Sequence, residues 1–322
     1  MFNHDKAMKL YLSDLKTNGV SPLTITSYSS ILGYYATFCS SESLDPLSPA
    51  AVAGYKAQMS EKGNKLVTIT MHLNILRLFF AFCIRMKLTE NQAENPVLDE
   101  LMPPRKKVRA ERKPYDHLMG EEEIRALFTG GMHKGARKGL YLRNRAIVLT
   151  LVGCGLRNSE LRSLTPRDLT FGDESEAKIT VHSGKGDKYR IVPFPTIVQQ
   201  AVLDYLSSNE RPKGLKDTDI LFGVGDTRDE WHPFARECLS DMCKRYIESC
   251  TGFEGARSHA CRHAFASLNL THGVPMAEIQ SMLGHSSIMT TEHYAALLRP
   301  TAPTASGNKV FNNLFTPGEA LV

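Results

Sequence analysis

The chain has 322 residues, 42% hydrophobic and 23% charged, with negative mean hydropathy and a net charge of +5. That length fits two domains, one of about 100 residues and one of about 200, and the composition excludes a disordered or fibrous chain. Leu76 to Ile84 is the most apolar stretch, but Arg77 interrupts it and Arg85 follows it, so no membrane-spanning segment is expected.

Met1 to Lys6 lacks the basic region and apolar run of a secretory signal, which points to a cytoplasmic, nucleoid-associated protein. Seven cysteines, an odd number without a CxxC pair, read as reduced packing residues with neither disulfide nor zinc.

The elements follow in chain order. Met8, Leu12 and Leu15 recur at helical spacing, as do Ile25, Tyr28, Ile31, Leu32, Tyr35 and Phe38. Ser48-Pro49 offers an N-cap and first residue for a helix to about Ser60. A longer helix from Lys65 to Met86 is apolar nearly all round, as suits the centre of a small bundle. Residues 1–102 therefore read as a helical domain.

That segment carries nine basic and nine acidic groups, and residues 114–322 carry 24 of each. Between them, Pro103 to Lys113 holds Arg105, Lys106, Lys107, Arg109, Arg112 and Lys113 against Glu111, a surplus equal to the net charge of the whole chain. Prolines bracket the run and make 103–114 a connector. Its charges are either solvent-facing or contacts to a polyphosphate, where each neutralised phosphate releases condensed counterions.

Beyond the connector, the acidic first turn Glu121-Glu122-Glu123 opens a helix, and another runs from about Leu140 to Val152. Ala177–Val181 and Tyr189–Pro193 read as two antiparallel strands joined by a glycine-flanked turn. Helical patterns return at 197–207, 232–249, 257–271, 275–283 and 287–297. The fold class is mainly α with a small antiparallel sheet. The domains are 1–102, helical; 103–114, linker; 115–298, α+β; and 299–322, a polar tail with a short apolar cluster from Val310 to Phe315.

Four separated pieces carry chemistry. In Gly153-Cys-Gly-Leu-Arg157-Asn-Ser-Glu160-Leu, the glycines permit a tight path that delivers Arg157 to the start of a helix. Its fixed fork of donors suits the oxygens of a phosphodiester, and Glu160 orients such a cluster from behind. Arg157 alone would more often be a surface or salt-bridged arginine.

Lys185 sits on the hairpin turn, where it is either a solvated tip or a general acid, with Lys188 and Arg190 as nearby candidates for DNA backbone contacts. On a third stretch His259, Arg262 and His263 share a helical face, poor core material unless something anionic satisfies them. Zinc is the competing idea, but no HExxH glutamate accompanies the two histidines. Last come Leu283-Gly-His285 and, nine residues beyond that histidine, Tyr294, which in isolation would be a packing residue.

In this order the residues resemble the tyrosine site-specific recombinase, or phage integrase, family over about 290 residues. Arg157 and Glu160 match the G-x-R-x-x-E-L context, Lys185 the hairpin lysine, His259 and Arg262 the H-x-x-R pair, His285 the L-G-H histidine and Tyr294 the nucleophile. Cys261 stands where a leucine is common, and His293 precedes the tyrosine; neither removes a catalytic group.

The resemblance implies an N-terminal core-binding domain and a C-terminal catalytic domain clamped around duplex DNA. It implies a homo-tetramer on paired recombination sites, with accessory DNA-bending or directionality proteins as possible partners and an integrase or resolvase-like role. It also implies a simple recombinase without a separate arm-site-binding domain, and a tail whose Val310 to Phe315 cluster docks into a neighbouring subunit, packing in cis being the alternative.

A tyrosine phenol, with an ordinary pKa near 10, is a weak nucleophile that needs help. Arg157 and Arg262 would stabilise charge on the phosphorane, His285 would donate a hydrogen bond, His259 would assist deprotonation or contact the phosphate, and Lys185 would protonate the leaving 5′ oxygen. The 3′-phosphotyrosyl link conserves bond energy, so no metal, nucleotide or other cofactor is expected. The alternatives are a type IB topoisomerase-like activity, disfavoured by the compact helical N-terminal part, and a DNA-binding regulator without strand transfer, disfavoured by the full set of six groups.

Overall fold

The computed structural model describes residues 2–89, 94–104, 118–130, 140–173, 175–182 and 189–284, distributed over two units, Met1–Pro114 and Tyr115–Val322. In the first unit the helices begin where the sequence supplies caps. Asn3 accepts from the Lys6 amide ahead of α1 (His4–Thr17). Ser21 and Ser48 cap α2 (Pro22–Ser41) and α3 (Pro49–Glu61), each with proline, which needs no partner for an N–H, as the first helical residue. The fourth helix, α4 (Leu66–Arg85), packs against the other three.

Their common core is aromatic. Phe79 lies 5.6 Å from Tyr11 and 5.2 Å from Phe80 between ring centroids, and Tyr35 meets Phe80 edge-on at 5.9 Å. The buried phenols keep partners at the rim, Tyr35 on the Pro46 carbonyl and Tyr55 on His72 Nδ1, both at 2.9 Å. By length and composition α4 is, against the sequence expectation, long and apolar enough to cross a membrane. Its Leu73, Leu76, Phe79 and Phe80 fill the centre of this bundle instead, while Arg77 bonds the Val97 carbonyl and Asp99.

His4 is buried beside Phe79, with neither ring nitrogen hydrogen-bonded among the described residues. Burial lowers its pKa, and the neighbouring charge of Asp5 only partly opposes that.

The second unit is built round α6 (Tyr141–Cys154), every residue of which from Ala146 onward is buried. Around it stand α5 (Glu121–Thr129), α8 (Thr196–Ser207), α9 (Arg236–Thr251) and α10 (Ser258–Thr271). The short α7 (Asn158–Ser163) follows α6, and α11 (Met276–Leu283) follows α10. A three-stranded antiparallel sheet runs β1 (Leu169–Thr170), β2 (Lys178–His182), β3 (Tyr189–Pro193), with Ile179 opposite Val192 and Val181 opposite Arg190.

Two features depart from the sequence reading. The first strand, of two residues, is too short to show alternation. The helix expected from 232 begins at Arg236, because His232–Pro233 (β5) pairs with Gly223–Val224 (β4). The expected helix 287–297 and the tail 299–322 lie outside the described residues.

Candidate active site

The site begins where α6 ends. Gly155 takes φ +64°, and a Cβ there would meet the Phe265 ring at 2.6 Å, so only glycine makes this turn. The turn places Arg157 as N-cap of α7, and the Glu160 carboxylate accepts the Arg157 backbone N–H at 2.7 Å. Glu160 thus caps the helix and faces the arginines at once.

Three guanidinium groups converge on that carboxylate. Arg157 donates Nη1 at 2.7 Å, Arg190 grips both oxygens at 2.8 Å each, and Arg262 Nη1 stands 3.9 Å away. Burial alone would push the Glu160 pKa up. Hydrogen bonds from Arg190 and the Arg157 backbone, and the charge of Arg190, outweigh it and bring the value to about 2. Glu160 is therefore ionised at neutral pH.

The same three arginines grasp three successive carbonyls at the end of α11. Arg190 Nε donates to Met282 at 2.7 Å, Arg262 Nη2 to Leu283, and Arg157 Nη2 to Gly284 at 2.8 Å. These oxygens carry the negative end of the helix dipole and have no partner within the helix, so cations suit them. Arg262 also donates to the Gly155 carbonyl at 2.7 Å, tying the α6 turn to the α11 end. Gly284 is left-handed, with Arg190 Cδ 3.0 Å from where a Cβ would sit.

The two arginines assigned to phosphate differ in exposure. The Arg262 side chain is 2% exposed, whereas that of Arg157 is 40% exposed. His259, in the first turn of α10, reaches solvent, and its ring lies 4.3 Å from that of His263. Its pKa is lowered by desolvation and then by the charges of Arg262, Arg157 and Arg236. A neutral imidazole at this point can accept a proton.

The structure thus brings together Arg157, Glu160, His259, Arg262 and His263. Arg190, expected as a DNA backbone contact, has a side chain 14% exposed that bonds Glu160 and the Met282 carbonyl. Strand parity carried that signal, since Arg190 shares a face with the buried Val192. Arg236, the first residue of α9, was missed because the sequence pattern started that helix too early. Lys185, Lys188, His285, Tyr294 and the connector residues Arg105, Lys106, Lys107 and Arg109 lie outside the described residues.

The sequence pattern of the phage integrase family matches residues 118–299, and that of the phage integrase N-terminal SAM-like domain matches residues 8–87. The chain is 30% identical to tyrosine recombinase XerC of Staphylococcus epidermidis over 90% of its own length and 92% of the relative's. It is 28% identical to XerC of Bacillus pumilus, covering 91% and 92%. A crystal structure of the XerH site-specific recombinase bound to palindromic difH substrate shares the fold, with a TM-score of 0.69, 20% identity, and coverage of 89% of this chain and 81% of that one. The matched patterns, the relatives and the arginine–glutamate centre agree, and the chain belongs to the phage integrase family and is a tyrosine recombinase acting on DNA.

Proposed function

We propose that this enzyme cuts and rejoins DNA at a specific site through Tyr294, with the cluster around Glu160 as its phosphate-binding half. The observation that carries the reading is the convergence of Arg157, Arg262 and a neutral His259 on one face, held from behind by an ionised Glu160. Arg157, partly exposed, and Arg262, fixed by carbonyls, stabilise negative charge as the phosphate becomes pentacoordinate. Tyr294 Oη attacks phosphorus, His259 takes or relays the phenolic proton, and His285 donates to a phosphate oxygen. The 5′ oxygen leaves with a proton from Lys185. One phosphodiester bond breaks as one phosphotyrosyl bond forms, so the energy is kept and the reverse step, with a second 5′ hydroxyl, rejoins the strand.

Arg190 and Glu160 act as support, His263 braces His259, and the connector with Arg105, Lys106, Lys107, Arg109 and also Lys188 contacts DNA phosphates. The domains are 1–102 for core binding, 103–114 as linker, 115–298 for catalysis and 299–322 as a docking tail. The working assembly is a homo-tetramer on two duplex sites in the cytoplasm at the nucleoid, open to DNA-bending or directionality proteins.

The test starts by selecting the bound site from a random duplex library and placing a nick beside it to trap the covalent complex. Wild type forms a phosphotyrosyl adduct that mass spectrometry locates on Tyr294, and Tyr294→Phe binds the duplex without forming any. An adduct on another tyrosine overturns the assignment, and relaxation of a supercoiled plasmid without that site favours the topoisomerase reading. Neutralising Arg105, Lys106 and Lys107 together lowers the slope of log K against log salt by about 0.9 for each phosphate that the protein no longer neutralises. Cognate and scrambled duplexes weaken alike, because flexible cations on phosphates do not read base edges.

A further inference from the structure

Asn158 follows Arg157 directly and is the first residue of α7. Its Nδ2 lies 3.1 Å from Ser258 Oγ and, at a longer 3.4 Å, faces the backbone oxygen of Arg236. Ser258 is a buried hydroxyl at the first position of α10, immediately before His259, and Arg236 opens α9. One amide therefore joins the starts of three helices, each carrying or adjoining a cation of the site.

Its Oδ1 is buried and has no hydrogen-bond partner among the described residues. An unpaired buried acceptor costs stability that a leucine of similar size would not. The amide thus touches the residue before His259 with its donor while its own oxygen stays unpaired.

We infer that Asn158 is a positioning residue, which sets His259 against Arg157 by clamping the starts of α10 and α9 to the start of α7. The inference rests on the catalytic reading above, because a misplaced His259 matters only if His259 serves Tyr294. The charged or titratable groups acting on His259 are Arg157 before α7, Arg236 on α9, and Arg262 and His263 on its own helix. With the clamp in place partial burial, and then the charges of the three guanidinium groups, hold the imidazole pKa below its ordinary value. Releasing it lets the ring drift from those charges, and its pKa rises toward the ordinary histidine value.

The experiment uses the full chain and the nicked duplex carrying the selected site, under single turnover. Asn158→Leu slows covalent-complex formation at saturating DNA about ten-fold, an effect the size of one hydrogen bond. DNA affinity stays within about two-fold, and Tm falls by only a few degrees, because two hydrogen bonds are lost while one unsatisfied buried oxygen is removed. The acid limb of the rate–pH profile moves to higher pH. Ser258→Ala, which removes the acceptor, gives a similar loss, and the double variant is no slower than the slower single one.

A wild-type rate and pH profile in Asn158→Leu overturns the clamp, as does strict additivity with Ser258→Ala. So does a rate loss that merely follows a fall in Tm with the pH profile unmoved. Wild type that forms no covalent complex overturns the catalytic reading and the clamp with it, whereas active wild type beside an equally active Asn158→Leu overturns the clamp alone.

Discussion

The two units hold their centres together by opposite means. In Met1–Pro114 the middle is a set of touching rings, and one imidazole among them, His4, has no hydrogen-bond partner among the described residues. In Tyr115–Val322 an apolar core built on α6 supports a charged centre, where one carboxylate meets three guanidinium groups and every guanidinium also finds a carbonyl. The first arrangement draws on burial of apolar area, which is non-directional and insensitive to pH. The second depends on ionisation and geometry, and that is what the phosphate site proposed above requires: cations fixed in place before the substrate arrives. The lesson is that one chain keeps its electrostatic risk in the unit where the chemistry needs it.

The largest expected effect sharpens this contrast from the apolar side. Phe79→Ala removes a fully buried ring from the first unit and costs about 4 kcal/mol there. Trp231, the only tryptophan, belongs to the second unit, so its fluorescence transition in urea should stay while the hydrogen-exchange protection of α1 and α4 falls. A shift of both together would mean that the two centres unfold as one.

From the charged side, Glu160→Gln leaves three guanidinium groups facing a neutral amide and costs about 3 kcal/mol in the second unit. The pH dependence carries its own sign. The Glu160 pKa is depressed from 4.5 to about 2, so its stabilisation is complete above 4.5 and is lost as pH falls toward 2. Wild-type Trp231 fluorescence should show acid destabilisation within that window, and Glu160→Gln should lack most of it. Equal acid sensitivity in both proteins would break the comparison.

The smallest effect belongs to His4. Its lowered pKa means that folding favours the neutral ring, so the first unit loses stability as pH falls below the ordinary value of 6.5. His4→Leu should flatten that dependence and raise stability by about 1 kcal/mol at pH 5, read from exchange in α1. No change between pH 7 and 5 in wild type would show that the ring escapes to solvent when protonated.

Much of this was legible beforehand, for reasons that particular residues show. Pro22 and Pro49 behind serine caps mark helix starts by local chemistry, and the apolar run of α4 reveals a central helix by its periodicity. Arg157, Glu160, His259 and Arg262 could be grouped because their residue types and order resemble a family. What stayed hidden were partners supplied by the backbone. The Met282, Leu283 and Gly284 carbonyls have no letter in a sequence, so the inward turn of Arg190 was visible only through strand parity. Asn158 and Arg236 escaped for a related reason: their role depends on three helix starts meeting across about 100 residues of sequence, which no local pattern reports.

The carbonyl staple at the end of α11 also bears on how such a protein drifts. Main-chain oxygens accept whatever side chain they belong to, so Met282 and Leu283 are free to change so long as the replacement fits their buried space. The donors have no such latitude. Lysine offers a point charge without the planar fork that lets one arginine hold carboxylate and carbonyl together, so positions 157, 190 and 262 admit no conservative exchange. In a population of descendants, variation would therefore gather on the accepting helix and vanish from the three donors scattered over the rest of the unit. Gly284 would be the exception on that helix, kept by its left-handed turn and not by any bond it makes.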